Sequence, residues 1–368
     1  MAPLRYGLIG AGMMGHEHIR NIALIPDAQV VAAADPDDAM RTTAQALAGP
    51  GCRAYTNHAD MLADGGLDAL VIVAPNHLHH PILMEVLPYN LPILCEKPLG
   101  VTVDQCREII QLAQTTTAPV WVAMEYRYMP PVEALRAELN RGTAGRLRML
   151  SIREHRFPFL HKVGDWNRFN AQTGGTLVEK CCHFFDLMRL VIGATPTRIY
   201  ASGAADVNFR DELYDGRTPD ILDNAYVIVD FDNGCRAMLD LCMFAEGSYW
   251  QEVISATGDA ARIDAMIPGP ARFTPDGQER RSQIVISDRA SKTEDVRPIE
   301  VDHSILSAGD HHGSTFFQHL KFAELVRHGG TPEVSLTDGL ISVIMGAAAE
   351  ESARTGRAIT LNPDWMGA

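Results

Sequence analysis

Short apolar runs alternate with amphipathic segments over the first third of the chain. Runs rich in Val, Ile, Leu and Ala at 5–9, 29–34, 69–74, 93–95 and 120–124 are separated by helical patterns at 16–23, 39–48, 81–87 and 103–113. The runs are apolar at successive positions rather than at every second one, so each strand is buried on both faces, as in a parallel sheet covered by helices. Repeats of strand, helix and strand predict a doubly wound α/β domain of the Rossmann type over residues 1–126.

Beyond that point the pattern changes. Strand candidates at 147–154, 198–203, 225–230, 235–241, 251–257 and 262–265 follow one another with few helices between them. Asn233-Gly234 separates two of these runs and is a hairpin signal, because both residues tolerate positive φ. Helical patterns at 132–140, 177–191, 315–326 and 336–353 are available to cover one face. Residues 127–368 are therefore expected to form an α+β domain on a large, mainly antiparallel open sheet, with 206–223 as a long polar loop.

Composition narrows the function classes. The 368 residues carry 32 Lys and Arg against 46 Asp and Glu, a net charge of −14, which repels phosphate backbones and argues against a nucleic-acid partner. No apolar stretch approaches the roughly 18 residues of a membrane span. Seven cysteines, two of them adjacent at Cys181 and Cys182, suit a reducing compartment better than a disulfide framework. With no export pattern in MAPLRYGLIGAGMMG, a cytoplasmic protein is expected.

The first strand leads into Gly10-Ala11-Gly12-Met13-Met14-Gly15, and Asp35 ends the second strand 20 positions later. Gly10 permits the tight turn, Gly12 lets a pyrophosphate approach the backbone, and Gly15 lets the helix pack closely, with the helix N-terminus facing the negative charge. Asp35 suits the ribose hydroxyls of NAD and repels a 2′-phosphate, so NADP is the lesser expectation despite Arg41 nearby. Two later strand ends, 74–79 with Pro75, Asn76 and His79 and 95–98 with Glu96, Lys97 and Pro98, should border the same crevice.

Gly174-Gly-Thr-Leu-Val-Glu-Lys-Cys-Cys-His-Phe-Phe-Asp186 reads as a glycine entry followed by one helix. On it Glu179, His183 and Asp186 are spaced i, i+4 and i+7, which would set an imidazole between two carboxylates. A neighbouring carboxylate raises a histidine's proton affinity and orients its ring, as a base acting on an alcohol requires. A satisfied core histidine is the plainer alternative. Zinc at Cys181, Cys182 and His183 is disfavoured because adjacent helical residues diverge, so no metal is expected. The segment 155–168, with Arg156, Lys162, Trp166 and Arg168, suits either a sugar ring or an interface between subunits. Together with Lys180 these cations raise the possibility of an anionic sugar.

With GxGxxG, Asp35, Glu96-Lys97-Pro98 and GGTLVEKCCHFFDLM in order, nearly the whole chain resembles the glucose-fructose oxidoreductase and inositol dehydrogenase (Gfo/Idh/MocA) family. The resemblance implies that Lys97 and His183 lie at the hydride-transfer site, with Glu179 at the family's acidic position, where Asp is usual. It further implies cofactor contacts from Pro75, Asn76, His79 and Glu96, a cis bond before Pro98, and a substrate contact from Lys180. The second domain would bind substrate, and its sheet would form the interface of a homodimer or homotetramer. The implied activity is oxidation of a secondary hydroxyl of a sugar or cyclitol, with Arg156, Trp166 and Arg168 as further substrate contacts. Reduction of a keto-sugar, a glycoside oxidoreductase that retains its cofactor, and a non-catalytic sugar sensor are the alternatives.

Overall fold

Complete burial of alternating apolar runs builds the first sheet. The computed structural model describes residues 2–362. In it β1 (Leu4–Ile9), α1 (Met13–Ala23), β2 (Ala28–Ala34), α2 (Asp38–Ala48), β3 (Arg53–Tyr55), α3 (His58–Asp64), β4 (Ala69–Ile72), α4 (Asn76–Val86), β5 (Ile93–Glu96), α5 (Val103–Ala113) and β6 (Val120–Ala123) succeed one another. The six strands pair in the order β3-β2-β1-β4-β5-β6, all parallel. Every residue of β4, β5 and β6 is buried, which is why these strands read as runs. The order reverses between β1 and β4, and the crevice outside their carboxyl ends is the natural ligand site of such a sheet. Sequence reading missed β3 and α3. β3 has three residues at the sheet edge with Arg53 exposed, too little apolar surface for a signal.

The second sheet starts after α6 (Pro130–Asn140). It comprises β7 (Leu147–His155), then, after the short helices α7 (Asn170–Thr173) and α8 (Thr176–Glu179) and the longer α9 (Cys182–Ile192), β8 (Pro196–Ala204), β9 (Asn224–Phe231), β10 (Arg236–Cys242), β11 (Trp250–Gly258), β12 (Ala261–Pro268), β13 (Ser282–Asp288) and β14 (Glu294–Ile299). The chain closes with α10 (His303–Leu306), α11 (Ser314–His328), α12 (Leu336–Thr355) and β15 (Ile359–Thr360). Nine strands are ordered β14-β13-β12-β11-β7-β10-β9-β8-β15, antiparallel except where β7 meets β10. The Asn233-Gly234 turn joins β9 to β10, with Gly234 at φ +81°. β14 was not foreseen because five of its six residues are exposed at the sheet edge.

Helices cover one face of this sheet. α6 packs on β12, α9 on β7 and α12 on β8. α12 also touches α5, α8, α9 and β6, and the N–H of Val122 in β6 donates to Val334 O at 3.2 Å just before that helix. The C-terminal helix thus presses on both sheets and fixes the crevice between them.

One expectation fails here in a way that matters. The single helix foreseen over 177–191 breaks at Lys180 and Cys181 into α8 and α9, so Glu179, His183 and Asp186 do not share one helical face.

Candidate active site

The glycine turn after β1 forms one end of a cleft of about 760 Å³. Gly10, Gly12, Met13, Met14, Asp35, Pro75, Asn76, His79, Glu96, Lys97 and Trp166 all line it. Gly15 lies beneath the turn instead, where a Cβ would come within 2.7 Å of Gly10 O. At Gly12 a Cβ would meet nothing within 4 Å, so the groove above that backbone is open. Asp35 accepts from Ala11 N at 2.7 Å through Oδ2 and from Asp37 N at 2.9 Å through Oδ1, which fixes its carboxylate beside the turn. Arg41 donates to Asp35 O at 2.7 Å, Pro36 O at 2.9 Å and Asp38 Oδ1 at 2.9 Å, so its guanidinium is already engaged. The Asn76 Nδ2 donor is buried with no partner. An open cradle over the glycine backbone, a fixed carboxylate and an unmatched donor fit a dinucleotide.

His79 does more than line the cleft. Nδ1 lies 2.7 Å from Pro98 O and Nε2 2.9 Å from Ala74 O, so the ring ties the loop after β4 to the loop after β5. Burial lowers its pKa, and in its neutral form the ring donates to one of these two carbonyls at a time.

At the other end, β5 delivers Glu96 and Lys97, and the Lys97-Pro98 bond is cis. Glu96 Oε1 lies 3.0 Å from His18 Nε2, and Oε2 accepts from Lys97 N at 3.2 Å. His18 Nδ1 is in turn 2.6 Å from His319 Nε2. Burial alone would push the Glu96 carboxyl up, yet His18 and Lys97 bring it below its ordinary value. Lys97 Nζ donates to Glu179 O at 3.3 Å. Burial acts to lower its pKa, but Cys182 and then the carboxylates of Glu96, Glu125 and Glu179 outweigh it and the net shift is upward, so the side chain is an ammonium.

His183 stacks on Tyr126, with ring centroids 4.1 Å apart and planes 7° from parallel. Its Nε2 lies 3.5 Å from Glu125 Oε1, while Nδ1 is buried without a partner. The imidazole pKa is driven well below its ordinary value by burial first, then by Lys97 and Lys180. This corrects the expectation of a raised proton affinity: the ring is neutral, as a base must be before it acts.

The carboxylate beside His183 is also not the one foreseen. Glu179 Oε1 lies 3.7 Å from Lys162 Nζ, and Asp186 accepts two bonds of 2.5 Å from Arg127. Lys180 Nζ lies 2.8 Å from Glu154 Oε1 and donates to Tyr126 Oη at 2.6 Å. Arg156 lies over the Phe157 ring at 4.2 Å, with Nη1 3.6 Å from Glu154. Arg168, expected at the substrate, is turned elsewhere: fully buried, it donates to Glu212 at 2.9 Å and stacks on Phe209 at 3.8 Å. It fastens the 206–223 loop through that loop's carboxylate and ring.

Sequence reading passed over Glu125 and Tyr126. Glu125 begins two residues past the end of β6, and the rule that ligands gather at the carboxyl ends of parallel strands would have found it. His311 reaches the cluster through Glu17 of α1, whose Oε1 is 2.7 Å from His311 Nδ1. Among the described residues no group of three His, Cys, Asp or Glu side chains is arranged to hold a metal ion, and no helix is long and apolar enough to cross a membrane.

Residues 4–124 match the model of the oxidoreductase family's NAD-binding Rossmann fold, and residues 136–361 match the same family's C-terminal alpha/beta domain. The chain belongs to the Gfo/Idh/MocA oxidoreductase family. It is 29% identical over 282 residues to the rhizopine catabolism protein MocA of Rhizobium meliloti, covering 76% of this chain and 82% of that one. It is 30% identical to an inositol 2-dehydrogenase of Leifsonia xyli, over 70% of this chain and 72% of the relative. The solved structure of a levoglucosan dehydrogenase in complex with NADH superposes with a TM-score of 0.81 at 18% identity, over 98% of this chain and 99% of that one, a likeness of fold. Gfo/Idh/MocA membership accounts for the two domains, each built on its own sheet.

Proposed function

We propose that the protein oxidises a secondary hydroxyl of a sugar or cyclitol with NAD, or runs the reverse reduction. The observation that carries this reading is the buried cluster beside the cleft in which a neutral imidazole, His183, and an ammonium, Lys97, both border Glu125. When bound, the nicotinamide supplies a two-electron hydride acceptor. His183 takes the hydroxyl proton, and Lys97 stabilises the oxygen as negative charge develops on it. An ammonium held in a water-poor site does this far better than one in solvent. Asp35, pinned at both oxygens, would meet the ribose hydroxyls, and its charge disfavours a 2′-phosphate, so NAD is the preferred cofactor. Arg41, spent on backbone carbonyls, does not offset it.

The uncovered face of the second sheet supports a homo-oligomer. Tyr200 on β8, Ile228 on β9 and Met238 on β10 are direct cross-strand neighbours, and all three are exposed, as is Tyr226. A contiguous apolar ladder of this kind marks an interface, and a second copy of this chain is its occupant.

The test is a spectrophotometric assay for NADH across a broad panel of sugars and cyclitols. Turnover is expected with at least one of them, and Lys97→Ala and His183→Ala should each reduce it about a hundredfold while NAD binding persists. Full turnover in either variant would overturn the assignment.

A further inference from the structure

We propose that Glu125 is a positioning residue that sets the tautomer of His183, so that the ionisation of Glu125 decides whether His183 can act as a base. The inference rests on the dehydrogenase reading above for its kinetic consequence, but its structural content stands without it.

The geometry is specific. Glu125 Oε1 is 3.5 Å from His183 Nε2, and neither Glu125 oxygen has a hydrogen-bond partner. Both side chains are buried, at 1% and 2% exposure, so no solvent competes for that contact. The ring cannot swing away, because Tyr126 is stacked against it at 4.1 Å and Tyr126 Oη is held by Lys180. An ionised Glu125 can only accept, and it therefore selects the tautomer with hydrogen on Nε2, leaving the lone pair on Nδ1, the nitrogen with no partner. A protonated Glu125 donates its O–H to Nε2 instead. The hydrogen then moves to Nδ1, and the free nitrogen becomes a donor.

The charges around Glu125 place its ionisation where it can matter. Burial raises its carboxyl, Glu96 raises it further, and His311 and Lys97 oppose them, leaving it at about 7. Glu96 and Lys97 face it from β5, His183 from α9, Tyr126 from its own turn, and His311 from the loop before α11. Of these His183 is held toward its neutral form and Glu96 toward its ionised form, and His311, raised to about 9, gives up its charge only at the top of the range, so Glu125 is the group that changes near neutrality.

In the oxidising direction the substrate C–H bond would break with its electron pair leaving as hydride to a bound nicotinamide, and the O–H bond would break with its proton passing to the lone pair of His183 Nδ1. The carbonyl forms, and the imidazolium is stabilised by the Glu125 carboxylate across Nε2–H. This balances only in the state with Glu125 ionised. Oxidation should lose activity as pH falls through the Glu125 ionisation, although His183 itself does not titrate there.

Two measurements test this. Nitrogen NMR of the histidine-labelled full-length protein, with His183 assigned by difference against His183→Asn, should show the Nε2–H form above the transition and the Nδ1–H form below it. In Glu125→Gln, which cannot ionise, the switch should vanish. A His183 tautomer that is constant from about pH 5.5 to 9 in the unaltered protein overturns the proposal, whether or not the variant folds. Kinetically, kcat/KM for oxidation should fall about tenfold per pH unit below the transition, and change less than about threefold over the same range in Glu125→Gln. An unmoved acid limb in Glu125→Gln also overturns it. If no sugar or cyclitol is oxidised, the functional reading fails while the NMR result still decides the role of Glu125.

Discussion

Gly12 and Gly15 sit three residues apart in the same turn, yet the structure assigns them opposite roles, and replacing each by alanine should separate folding from cofactor binding. At Gly15 the new methyl would stand 2.7 Å from Gly10 O and 3.5 Å from a Leu8 methyl, so backbone must move. Overpacking of this kind costs about 1–3 kcal/mol. At roughly 2–4 °C per kcal/mol, the apoprotein's Tm should fall by about 2–12 °C. Gly12 has φ −74° and ψ −162°, an extended conformation open to alanine, and its methyl would meet no protein atom within 4 Å. The substitution should leave Tm unchanged or raise it, by the equivalent of about 0.4–1 kcal/mol, because the unfolded chain loses freedom. The methyl would occupy the space a pyrophosphate needs. Losing one or two backbone bonds to a charged group, at about 1.5–3 kcal/mol each, weakens binding by between about tenfold and about 10⁴-fold. Thermal unfolding of the apoproteins and calorimetric titration with NADH read the two effects independently. The reasoning is refuted if Gly12→Ala melts as early as Gly15→Ala, or if it binds NADH within about twofold of the unaltered chain.

Glu17, at about 2, and His311, at about 9, shift in opposite directions because, against a burial penalty on both, each stabilises the other's charge. The depressed carboxyl contributes stability that is present above its unfolded value and lost as pH falls toward 2, and the raised imidazole contributes stability present below its unfolded value and lost as pH rises through 9. Glu17→Gln should therefore destabilise by about 2–4 kcal/mol near pH 5.5 and by clearly less near pH 9.5, measured by urea unfolding; an equal loss at both would sink the pairing. Ile228→Asp places a charge in the middle of the exposed ladder on the second sheet, and light scattering should find the assembly dissociated with the fold intact; an unchanged mass would remove that face as the interface.

Much of the architecture was legible because it repeats. Runs buried on both faces mark β1, β2, β4, β5 and β6, the residues whose period and burial agree, and the Asn233-Gly234 turn declares its hairpin locally. Edge elements were not legible, since β14 buries almost nothing and carries Glu294, Asp295 and Arg297 outward. The glycine turn, Asp35 and the two strand-end segments could be placed at one cleft because each is tied to a strand end. The surroundings of His183 could not, because helical spacing assumes an unbroken helix. The chain breaks at Lys180 and Cys181, Asp186 is drawn to Arg127, and the carboxylate that reaches the imidazole comes from a residue 58 positions earlier in the chain, Glu125 rather than Glu179. Pairings of that separation are fixed by tertiary packing and leave no local pattern.

The same lesson bears on the substrate. Counting cations in the sequence made an anionic sugar attractive, because Arg156, Lys162, Arg168 and Lys180 cluster near the glycine pair. In the fold each is paired with a carboxylate: Arg156 and Lys180 share Glu154, Lys162 has Glu179, and Arg168 has Glu212. Lys97 faces Glu96, Glu125 and Glu179. Glu252, on β11 directly across from Glu154, adds a further buried carboxyl, pushed up to about 7 by burial and by that neighbour. No surplus positive charge is left for a carboxylated ligand. Bringing one in would set like charges together in a water-poor site, at several kcal/mol. The structure thus favours a neutral polyol, whose hydroxyls can accept from the ammonium groups and donate to carboxylate oxygens such as Glu179 Oε2 and Glu252 Oε2, which are buried without partners. Comparing kcat/KM for matched pairs of a neutral sugar and its acid should show the neutral member ahead by at least about tenfold, the equivalent of roughly 1.4 kcal/mol. A preference for the acid would mean that one of these ion pairs opens to receive it, and Lys162, whose partner is the most distant at 3.7 Å, is the first to replace in looking for which.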